Sequence, residues 1–421
     1  MASKVMKRCF NVEKVRGYAA DLVSFSKPAL LHWMYKREPG QLRALSAELG
    51  RPLDLDSSIS YFKLMVKRDA KVKLDSTCLV KHPPAQNIMF HSKAINALFS
   101  PIFDEIKNRV IDSLNSNIAF YTEMDHDKFA SLCSAMVGDD DSMYHIGEVD
   151  FSKFDKSQDV FVKEFEREVY RCFGFEPELL DVWMQGEYNA RAKSLDGKLA
   201  FNVTNQRRSG GSNTWLGNSL VTLGILAMYY DVTKLSALFI SGDDSLMYST
   251  EPLKNHAEVI CVETGFETKF MSPSVPYFCS KFVVHCGHRT YFVPDPYKLL
   301  VKLGAPRSEP TEDNLFEVFV SFKDLTKHFS DERVIRKVAE LMSVKYQFES
   351  PYTLPALHSI HCINANFKNF LSLYPKVSGW VVVKHLTKWV LKFFGNKISF
   401  TKFNTPDGER YFGAYEDSPD E

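Results

Sequence analysis

Two adjacent carboxylates between two apolar runs constrain the fold of this chain more than any other feature. The runs are 235–240 and 246–248, and the sequence Ser-Gly-Asp-Asp-Ser at 241–245 separates them. Apolar runs joined by turn-forming residues predict a β-hairpin with Asp243 and Asp244 at its tip. Neighbouring carboxylates repel each other, and a bound divalent cation offsets that cost. Alone, Gly-Asp-Asp is also typical of an ordinary β-turn.

A second acidic element precedes this hairpin along the chain. Asp150 and Asp155 flank the sequence Phe-Ser-Lys-Phe and follow the short run 144–149. Two acidic strand ends are what two-metal phosphoryl transfer requires, because one ion activates the attacking hydroxyl and the other stabilises the leaving phosphate. Hard oxygen ligands suit Mg²⁺ or Mn²⁺. The pair of elements therefore favours a metal-dependent site over a simple turn.

A glycine-containing segment at 206–219 lies between the two acidic elements. Its Ser209-Gly210-Gly211 sequence predicts a loop whose backbone can approach a ligand closely. Thr214 and Asn218 are four residues apart at the start of the next predicted helix, so their side chains point the same way. Such a loop before a helix N-terminus is a candidate anion site. An ordinary loop with a helix cap is the alternative.

Periodicity elsewhere predicts a mixed α+β protein, with helices and short strands alternating along the chain. We predict mainly helix at 1–60, a strand at 61–75, helices at 92–110, 159–173 and 213–230, short strands at 266–293, and a later helix with Ser330 as its N-cap.

Charge and cysteine content limit which classes of protein this chain can belong to. The 52 basic and 52 acidic residues cancel, so nucleic-acid binding would have to use local patches. The eight cysteines show no repeating spacing, which favours a reducing compartment. We interpret Cys279 and Cys286 as buried thiols, and His285 and His288 as surface histidines, rather than as zinc ligands. No signal peptide or membrane-spanning run is visible in the sequence.

One basic stretch is a candidate phosphate-backbone contact. Residues 351–405 contain seven lysines and no acidic residue, and Lys384, Lys388 and Lys392 recur at helical spacing. These three lysines would share one face of a helix. They could bind RNA, or they could simply be a solvated face.

Taken in order, the three elements resemble motifs A, B and C of viral RNA-dependent RNA polymerases. The segments 150–158, 206–218 and 241–246 look like the alphavirus-like supergroup of positive-strand RNA viruses, and most like plant closteroviruses. Further segments resemble the basic fingers motif (67–73), motif D (266–270), motif E (277–282) and the passage into the thumb (295–304). The resemblance covers roughly 60–303, more than half of the chain.

The resemblance implies an α+β right-hand polymerase fold with fingers, a palm built on a small antiparallel sheet, and a helical thumb. The implied boundaries are an N-terminal region and fingers at 1–143, palm with motif A at 144–175, a fingers insertion at 176–208, palm with motifs B to E at 209–303, and thumb with an acidic tail at 304–421.

It also implies a role for individual residues in RNA synthesis. Asp150 and Asp243 would be the main ligands of Mg²⁺ or Mn²⁺, with Asp244 as an accessory, and Lys269 the general acid. The implied reaction is attack of a 3′-hydroxyl on the α-phosphate of a nucleoside triphosphate. The implied nucleotide-binding residues are Lys67, Arg68, Lys71 and Lys73 for the triphosphate, Asp155 and Asn218 for the ribose 2′-hydroxyl with Ser209 and Thr214 nearby, and Gly210; Lys384, Lys388 and Lys392 would contact product RNA.

Two other functions fit part of this pattern. A reverse transcriptase shares the palm chemistry, but Asp155 and Asn218 favour selection of ribose. A non-catalytic RNA-binding replicase scaffold would be expected to lack the acidic residues, which are present here. We also expect template and product RNA, nucleoside triphosphates and a viral methyltransferase/helicase replicase protein as partners. The expected location is a membrane-associated replication complex in the host cytoplasm, reached through those partners.

Overall fold

The structure is a computed structural model that describes residues 1–49, 53–67, 86–304, 312–374, 398–405 and 408–415. The chain forms two compact units, one made of Met1–Pro306 with Leu325–His361 and the other of Arg307–Asp324 with Cys362–Glu421. Helices and strands alternate along most of it, so the predicted α+β class is confirmed.

The helices carry most of the N-terminal and C-terminal regions. They are α1 (Ala2–Cys9), α2 (Val12–Ala20), α3 (Lys27–Tyr35), α4 (Pro39–Leu49), α5 (Leu55–Ile59), α6 (Lys93–Ser113), α7 (His126–Val137), α8 (Val160–Cys172), α9 (Pro177–Tyr188), α10 (Thr214–Tyr229), α11 (Ala257–Thr264), α12 (Pro296–Gly304), α13 (Glu312–Leu325), α14 (Glu332–Tyr346), α15 (Thr353–Asn364) and α16 (Phe367–Leu371).

The strands form several small sheets. They are β1 (Tyr61–Val66), β2 (Asn87–Phe90), β3 (Ile118–Phe120), β4 (His145–Phe151), β5 (Asn189–Ser194), β6 (Ala200–Thr204), β7 (Ala237–Ser241), β8 (Asp244–Ser249), β9 (Thr268–Met271), β10 (Tyr277–Phe278), β11 (Lys281–His285), β12 (Thr290–Pro294), β13 (Ile398–Thr405) and β14 (Gly408–Tyr415). The sheet orders are β3-β7-β8-β4-β9, β2-β1-β5-β6, β10-β11-β12 and β13-β14.

The five-stranded sheet lies at the centre of the first unit. Alternate side chains of β7 enter two different cores, as the two-residue period of a strand requires. Leu238 and Ile240 pack in the core that contains α6, α8 and α10. Ala237 and Phe239 pack with α7, β11 and β12. The sheet is therefore covered on both faces, which fixes the position of the hairpin that β7 makes with β8.

This sheet differs in one respect from the small antiparallel sheet implied by the resemblance. The pairs β7–β8, β8–β4 and β4–β9 are antiparallel, but β3 joins β7 in parallel. The chain from α7 through α10 separates β3 from β7, and a parallel pair needs such a long connection. The sheet is mixed.

Local signals predicted most element boundaries near the site. Asp159 caps α8 by accepting from the backbone N–H of Val162. The predicted N-cap at Ser330 is wrong, since Asp331 caps α14 and accepts from the backbone N–H of Arg333. Ser330 instead donates its hydroxyl to the carbonyl of Lys327 in a preceding 3₁₀ turn.

In the second unit, phenylalanines of α13 and α16 pack together. Phe319 lies 5.4 Å from Phe367 and 5.5 Å from Phe370, measured between ring centroids. The strands β13 and β14 form an antiparallel hairpin. Lys384, Lys388 and Lys392 lie outside the described residues, so their proposed contact with RNA stays a prediction.

Candidate functional site

The acidic hairpin forms as the sequence predicts. Ser241 pairs with Asp244, so Gly242 and Asp243 are the two turn residues between β7 and β8. Gly242 has a φ of +64°, a left-handed conformation that glycine adopts without steric cost at the first position of a tight turn. Asp244 is the first residue of β8. The carboxylates therefore lie at the tip of the hairpin.

Helix α10 holds this turn in place through three hydrogen bonds. The hydroxyl of Ser219 accepts from the backbone N–H of Gly242 at 2.9 Å, and the hydroxyl of Thr222 donates to the carbonyl of Gly242 at 2.9 Å. The indole N–H of Trp215 donates to the hydroxyl of Ser241 at 3.1 Å. All three bonds come from one helix. The helix predicted at 213–230 and the predicted hairpin are therefore packed against each other.

Carboxylates from both acidic elements act on one another. Burial, together with the charges of Asp244, Asp155 and Asp150, raises the pKa of Asp243 to about 6. Burial likewise raises the pKa of Glu148 to about 7, with Asp244 and Asp150 contributing. The fold thus brings Asp150, Asp155 and Asp244 close enough to Asp243 to act on its charge.

The donor set fits a hard divalent cation. Neighbouring carboxylates that repel one another are stabilised by a bound Mg²⁺ or Mn²⁺, whose preferred ligands are oxygens. Within the described ranges, no three His, Cys, Asp or Glu side chains already stand in a metal-binding arrangement. The side chains of Asp150, Asp243 and Asp244 would have to turn toward a shared ion.

Asp150 lies near the end of β4, and Asp155 follows shortly after that strand ends. Asp150 pairs in register with Lys269 of β9, and both side chains are exposed. Asp155 lies in a short 3₁₀ turn that follows Lys153, whose φ is +56°. The backbone carbonyl of Asp155 accepts from the backbone N–H of Arg207 at 2.9 Å, which ties the first acidic element to the glycine-containing segment.

The predicted partner of Asp155 is in contact with it. The amide nitrogen of Asn218 donates to one carboxylate oxygen of Asp155 at 2.8 Å. Asn218 itself is buried, with 7% of its surface exposed, while Asp155 is half-buried. The partly exposed carboxylate of Asp155 is therefore held by a buried amide. This arrangement is expected for recognising a hydroxyl group.

Two other predicted nucleotide-binding residues, Ser209 and Gly210, make contacts within the protein. Ser209 donates to the carbonyl of Asn87 at 3.1 Å, and the backbone N–H of Gly210 donates to the carbonyl of Met89 at 2.9 Å. A Cβ on Gly210 would lie 2.8 Å from that carbonyl, so close packing on β2 already requires a glycine. Their contact with nucleotide stays a prediction.

Thr214 and Lys67 are the remaining predicted nucleotide-binding residues among those that the structure describes. The Thr214 hydroxyl donates to the carbonyl of Arg208 at 2.6 Å and closes the glycine-containing loop. Lys67 follows β1, is exposed, and donates its backbone N–H to the carbonyl of Gln86 at 2.7 Å. The remaining triphosphate candidates, Arg68, Lys71 and Lys73, lie outside the described residues.

Two lysines near the acidic site were not anticipated from the sequence. Lys281 lies over the rings of Tyr121 and Phe292, at 5.3 and 5.2 Å, and its charge interacts with Asp244. Lys345 of α14 lies 3.6 Å from the centre of the Tyr277 ring. Burial lowers the pKa of Lys345, and the carboxylate of Glu148 opposes that shift.

The possible zinc ligands do not form a metal site among the described residues. Cys279 is half-buried in the β10–β11 turn, and burial raises the pKa of its thiol. His288 is exposed as predicted. His285 is not a surface residue, because its side chain is 8% exposed and its Nδ1 lies 3.0 Å from the Thr290 hydroxyl.

No helix in the described ranges combines the length and apolar character needed to cross a bilayer.

Comparison with known proteins gives one family. A family model described as RNA dependent RNA polymerase matches residues 1–373. The chain is 58% identical over 412 residues to replicase polyprotein 1ab of Beet yellows virus (isolate Ukraine), covering 98% of the chain and 13% of that protein. It is 39% identical over 345 residues to replicase polyprotein 1ab of Grapevine leafroll-associated virus 3 (isolate United States/NY1), covering 82% of the chain and 12% of that protein.

A third relative is named for three activities. The chain is 31% identical over 321 residues to the methyltransferase/helicase/RNA-directed RNA polymerase of Raspberry bushy dwarf virus (isolate Malling Jewel raspberry/R15), covering 76% of the chain and 19% of that protein. The chain thus spans less than a fifth of the length of each of these relatives.

Proposed function

This chain belongs to the RNA-dependent RNA polymerase family, and we propose that it joins ribonucleotides on an RNA template during replication of a positive-strand RNA virus. The observation that carries the proposal is that Asp244, Asp150 and Asp155 all lie close enough to Asp243 to act on its charge, with Asn218 bonded to Asp155. One site thus contains the groups needed for metal-assisted phosphoryl transfer and for recognising a ribose.

The right-hand arrangement is part of this proposal. Four strands of the five-stranded sheet, β4, β7, β8 and β9, fall within the palm assigned to 144–175 and 209–303, and the fifth, β3, comes from the segment before it. We assign 1–143 and 176–208 to the N-terminal region and fingers, and 304–421 to the thumb and acidic tail. The predominance of helices after β12 supports a helical thumb.

Asp150, Asp243 and Asp244 would hold the catalytic ions. Bound Mg²⁺ or Mn²⁺ would supply a lower pKa for the attacking 3′-hydroxyl and neutralise charge that develops on the phosphate oxygens. The chain's contribution is a turn whose backbone is fixed by α10, so Asp243 is held at the tip of the hairpin before substrate binds. A backbone fixed in advance leaves only side-chain rotation to complete the site.

Lys269 is the candidate proton donor to the leaving pyrophosphate. Its strand pairs with β4, and residues opposite each other in an antiparallel pair project from the same face of the sheet. Lys269 is therefore on the face that presents Asp150. An ammonium group there can transfer a proton to a departing phosphate oxygen.

Asp155 and Asn218 are the proposed ribose-recognition pair. The Asn218 amide occupies one carboxylate oxygen of Asp155 and leaves the other to accept from a 2′-hydroxyl. A site built to bind a hydroxyl rejects the deoxy analogue, because its own polar groups then lose a partner. This contrast separates the polymerase proposal from a reverse transcriptase.

We also propose partners for the complete replication reaction. The name of the Raspberry bushy dwarf virus relative joins a methyltransferase and a helicase to a polymerase. We infer that this chain works with such a replicase protein, with template and product RNA and with nucleoside triphosphates. Membrane association in the host cytoplasm would then come through that partner. Sedimentation of the purified chain with membranes in the absence of other viral proteins would contradict this.

The test is incorporation of labelled ribonucleotides on a homopolymer RNA template with Mg²⁺ or Mn²⁺. The wild-type chain is compared with Asp243→Asn and with Asp196→Asn, a control in the exposed turn after β5. We expect synthesis by the wild type and the control but not by Asp243→Asn. Synthesis from deoxynucleotides alone would indicate a reverse transcriptase. RNA binding without synthesis, even after the helicase-bearing replicase is added, would indicate a scaffold.

A further inference from the structure

A buried series of hydrogen bonds leads from a lysine to the proposed ribose site. The ammonium of Lys163 donates to the side-chain oxygen of Gln158 at 3.2 Å. The amide nitrogen of Gln158 donates to the side-chain oxygen of Asn218 at 2.9 Å. The amide nitrogen of Asn218 then donates to Asp155 at 2.8 Å. Lys163, Gln158 and Asn218 are all buried, with exposures of 0%, 3% and 7%.

The two ends of this series determine how both amides point. An ammonium can only donate, so the oxygen of Gln158 must face Lys163 and its nitrogen must face Asn218. That donor requires the oxygen of Asn218 on its side and leaves the Asn218 nitrogen toward Asp155, whose carboxylate can only accept. Turning either amide over would oppose two donors or two acceptors, a costly arrangement in a buried site.

Arg207 adds a second donor at the same oxygen. Its Nε donates to the side-chain oxygen of Asn218 at 3.0 Å. A guanidinium also has no acceptor, so it favours the same orientation of the Asn218 amide. Arg207 is held in turn by Glu166, whose carboxylate lies 2.7 Å from its Nη2.

Buried ion pairs surround Lys163 and Arg207, the charged donors of this series. Lys163 lies 3.2 Å from Glu166 and 2.7 Å from Glu187, and each of these side chains is 5% exposed or less. Tyr170 donates its hydroxyl to Glu166 at 3.0 Å. Buried ion pairs with further hydrogen bonds are rigid in position, because any departure leaves a charge without a partner.

We propose that Gln158 and Arg207 are positioning residues that set ribose selectivity by fixing the orientation of Asn218. Neither residue has to touch the nucleotide; they act through Asn218 on the carboxylate of Asp155. This inference rests on the proposed function of Asp155 and Asn218 as the ribose-recognition pair. It adds that selectivity depends on donors that contact Asn218 and not the nucleotide.

Gln158 is the residue to change, because Arg207 also carries a buried ion pair and its loss would disturb the fold. Gln158→Met keeps an unbranched side chain of similar length and removes both polar ends. Gln158→Glu keeps an acceptor for Lys163 and removes the donor to Asn218, so it serves if the methionine variant does not fold. Ser157→Ala is the matched control, since the Ser157 hydroxyl donates to the carbonyl of Lys153, outside the series.

The measurement is kcat/KM for a ribonucleotide and for its deoxy analogue on the same primed RNA template. We expect the ratio of the two values to fall roughly tenfold in Gln158→Met and Gln158→Glu, the effect of one buried hydrogen bond. Ser157→Ala should keep the wild-type ratio. A merely structural role would lower both values together and leave the ratio unchanged, and that result would overturn the proposal.

Crystal structures of the wild-type chain and the Gln158 variants test the inference without synthesis. We expect the contact between Asn218 and Asp155 to lengthen or be lost in the variants. If it stays at the wild-type distance with the same neighbours, Gln158 does not position Asn218. A wild-type chain that makes no RNA, with or without the replicase partner, would instead contradict the proposed function and leave the structural comparison to decide the positioning role.

Discussion

Asp150 and Lys269 are directly opposed in the antiparallel pair of β4 and β9. Neither side chain is buried, and both project from the same face of the sheet. The pairing brings a cationic group to the acidic edge from a strand more than a hundred residues later in the chain. Because this register already places Lys269 beside Asp150, a proposed metal ligand, its proposed role as proton donor can be tested directly by substitution.

Replacing Lys269 with methionine should slow nucleotide transfer without unfolding the protein. General acid catalysis contributes about 10²–10⁴-fold to a rate, so we expect a loss in that range in single-turnover incorporation. Lys254→Met, at an exposed position before α11, is the control and should keep the wild-type rate. A Lys269→Met chain as fast as that control would show that another group protonates the pyrophosphate.

Asp243→Asn should abolish stabilisation of the chain by Mg²⁺ or Mn²⁺. Burial and neighbouring carboxylates oppose the charge of Asp243, so a neutral amide there should not destabilise the metal-free protein. A ligand that binds the folded state raises the melting temperature. We expect thermal unfolding to show that rise in the wild type and not in the variant.

The control for this metal experiment is Asp196→Asn, which removes an exposed carboxylate far along the chain from the acidic hairpin. It should keep the metal-dependent rise in melting temperature. An equal rise in Asp243→Asn would mean that the cation binds elsewhere, and the assignment of Asp243 as a ligand would be wrong.

Local signals account for the parts of the site that the sequence predicted. Gly242 and the flanking apolar runs define the β7–β8 hairpin without reference to the rest of the chain. Asp159 before an amphipathic segment defines the start of α8. The resemblance to closterovirus polymerases, stated on three motifs, is confirmed by the family match and by the Beet yellows virus relative.

Contacts between distant segments account for what the sequence did not predict. Gln158 and Arg207 are polar residues in recognised motifs, but their shared acceptor on Asn218 depends on how α8 and α10 pack. Lys345 approaches Glu148 from α14, and no local pattern marks it. A single-residue error at Ser330 arose because Asp331 is an equally good cap one position later.

Stability should fall with acid through His91. The buried ring lies 3.9 Å from the ring of Phe62, and its Nε2 lies 2.8 Å from the carbonyl of Ile59. Burial lowers its pKa from 6.5 to about 4. The unfolded chain therefore binds a proton at higher pH than the folded one. The stabilisation is complete above about pH 6.5 and is lost as pH falls toward 4.

Urea unfolding at several pH values tests this, with His91→Gln as the variant. Glutamine can still donate to the carbonyl of Ile59 but does not titrate. The wild type should lose about 3 kcal/mol more than the variant between about pH 7 and pH 4. Parallel pH profiles for the two chains would assign the acid sensitivity to other groups.

The buried charges beside Asn218 leave no room for a side chain at Gly217. The cost of adding one can be compared with the cost at Gly224, another glycine of α10. A Cβ on Gly217 would lie 2.1 Å from a carboxylate oxygen of Glu166 and 2.7 Å from the guanidinium of Arg207. A Cβ on Gly224 would lie 2.4 Å from the terminal methyl of Met1, which can move, and 2.9 Å from the ring of Phe165.

Both alanine substitutions bring the same helix-propensity gain of about 1 kcal/mol. Gly217→Ala must displace an ion pair that buried neighbours hold in place, so its free energy of unfolding should fall by roughly 2–4 kcal/mol. Gly224→Ala should change it by about 1 kcal/mol or less. Because the displaced Arg207 also orients Asn218, ribose selectivity should fall in Gly217→Ala alone. Equal stability and equal selectivity in the two variants would mean that the pair moves aside freely and does not hold the site.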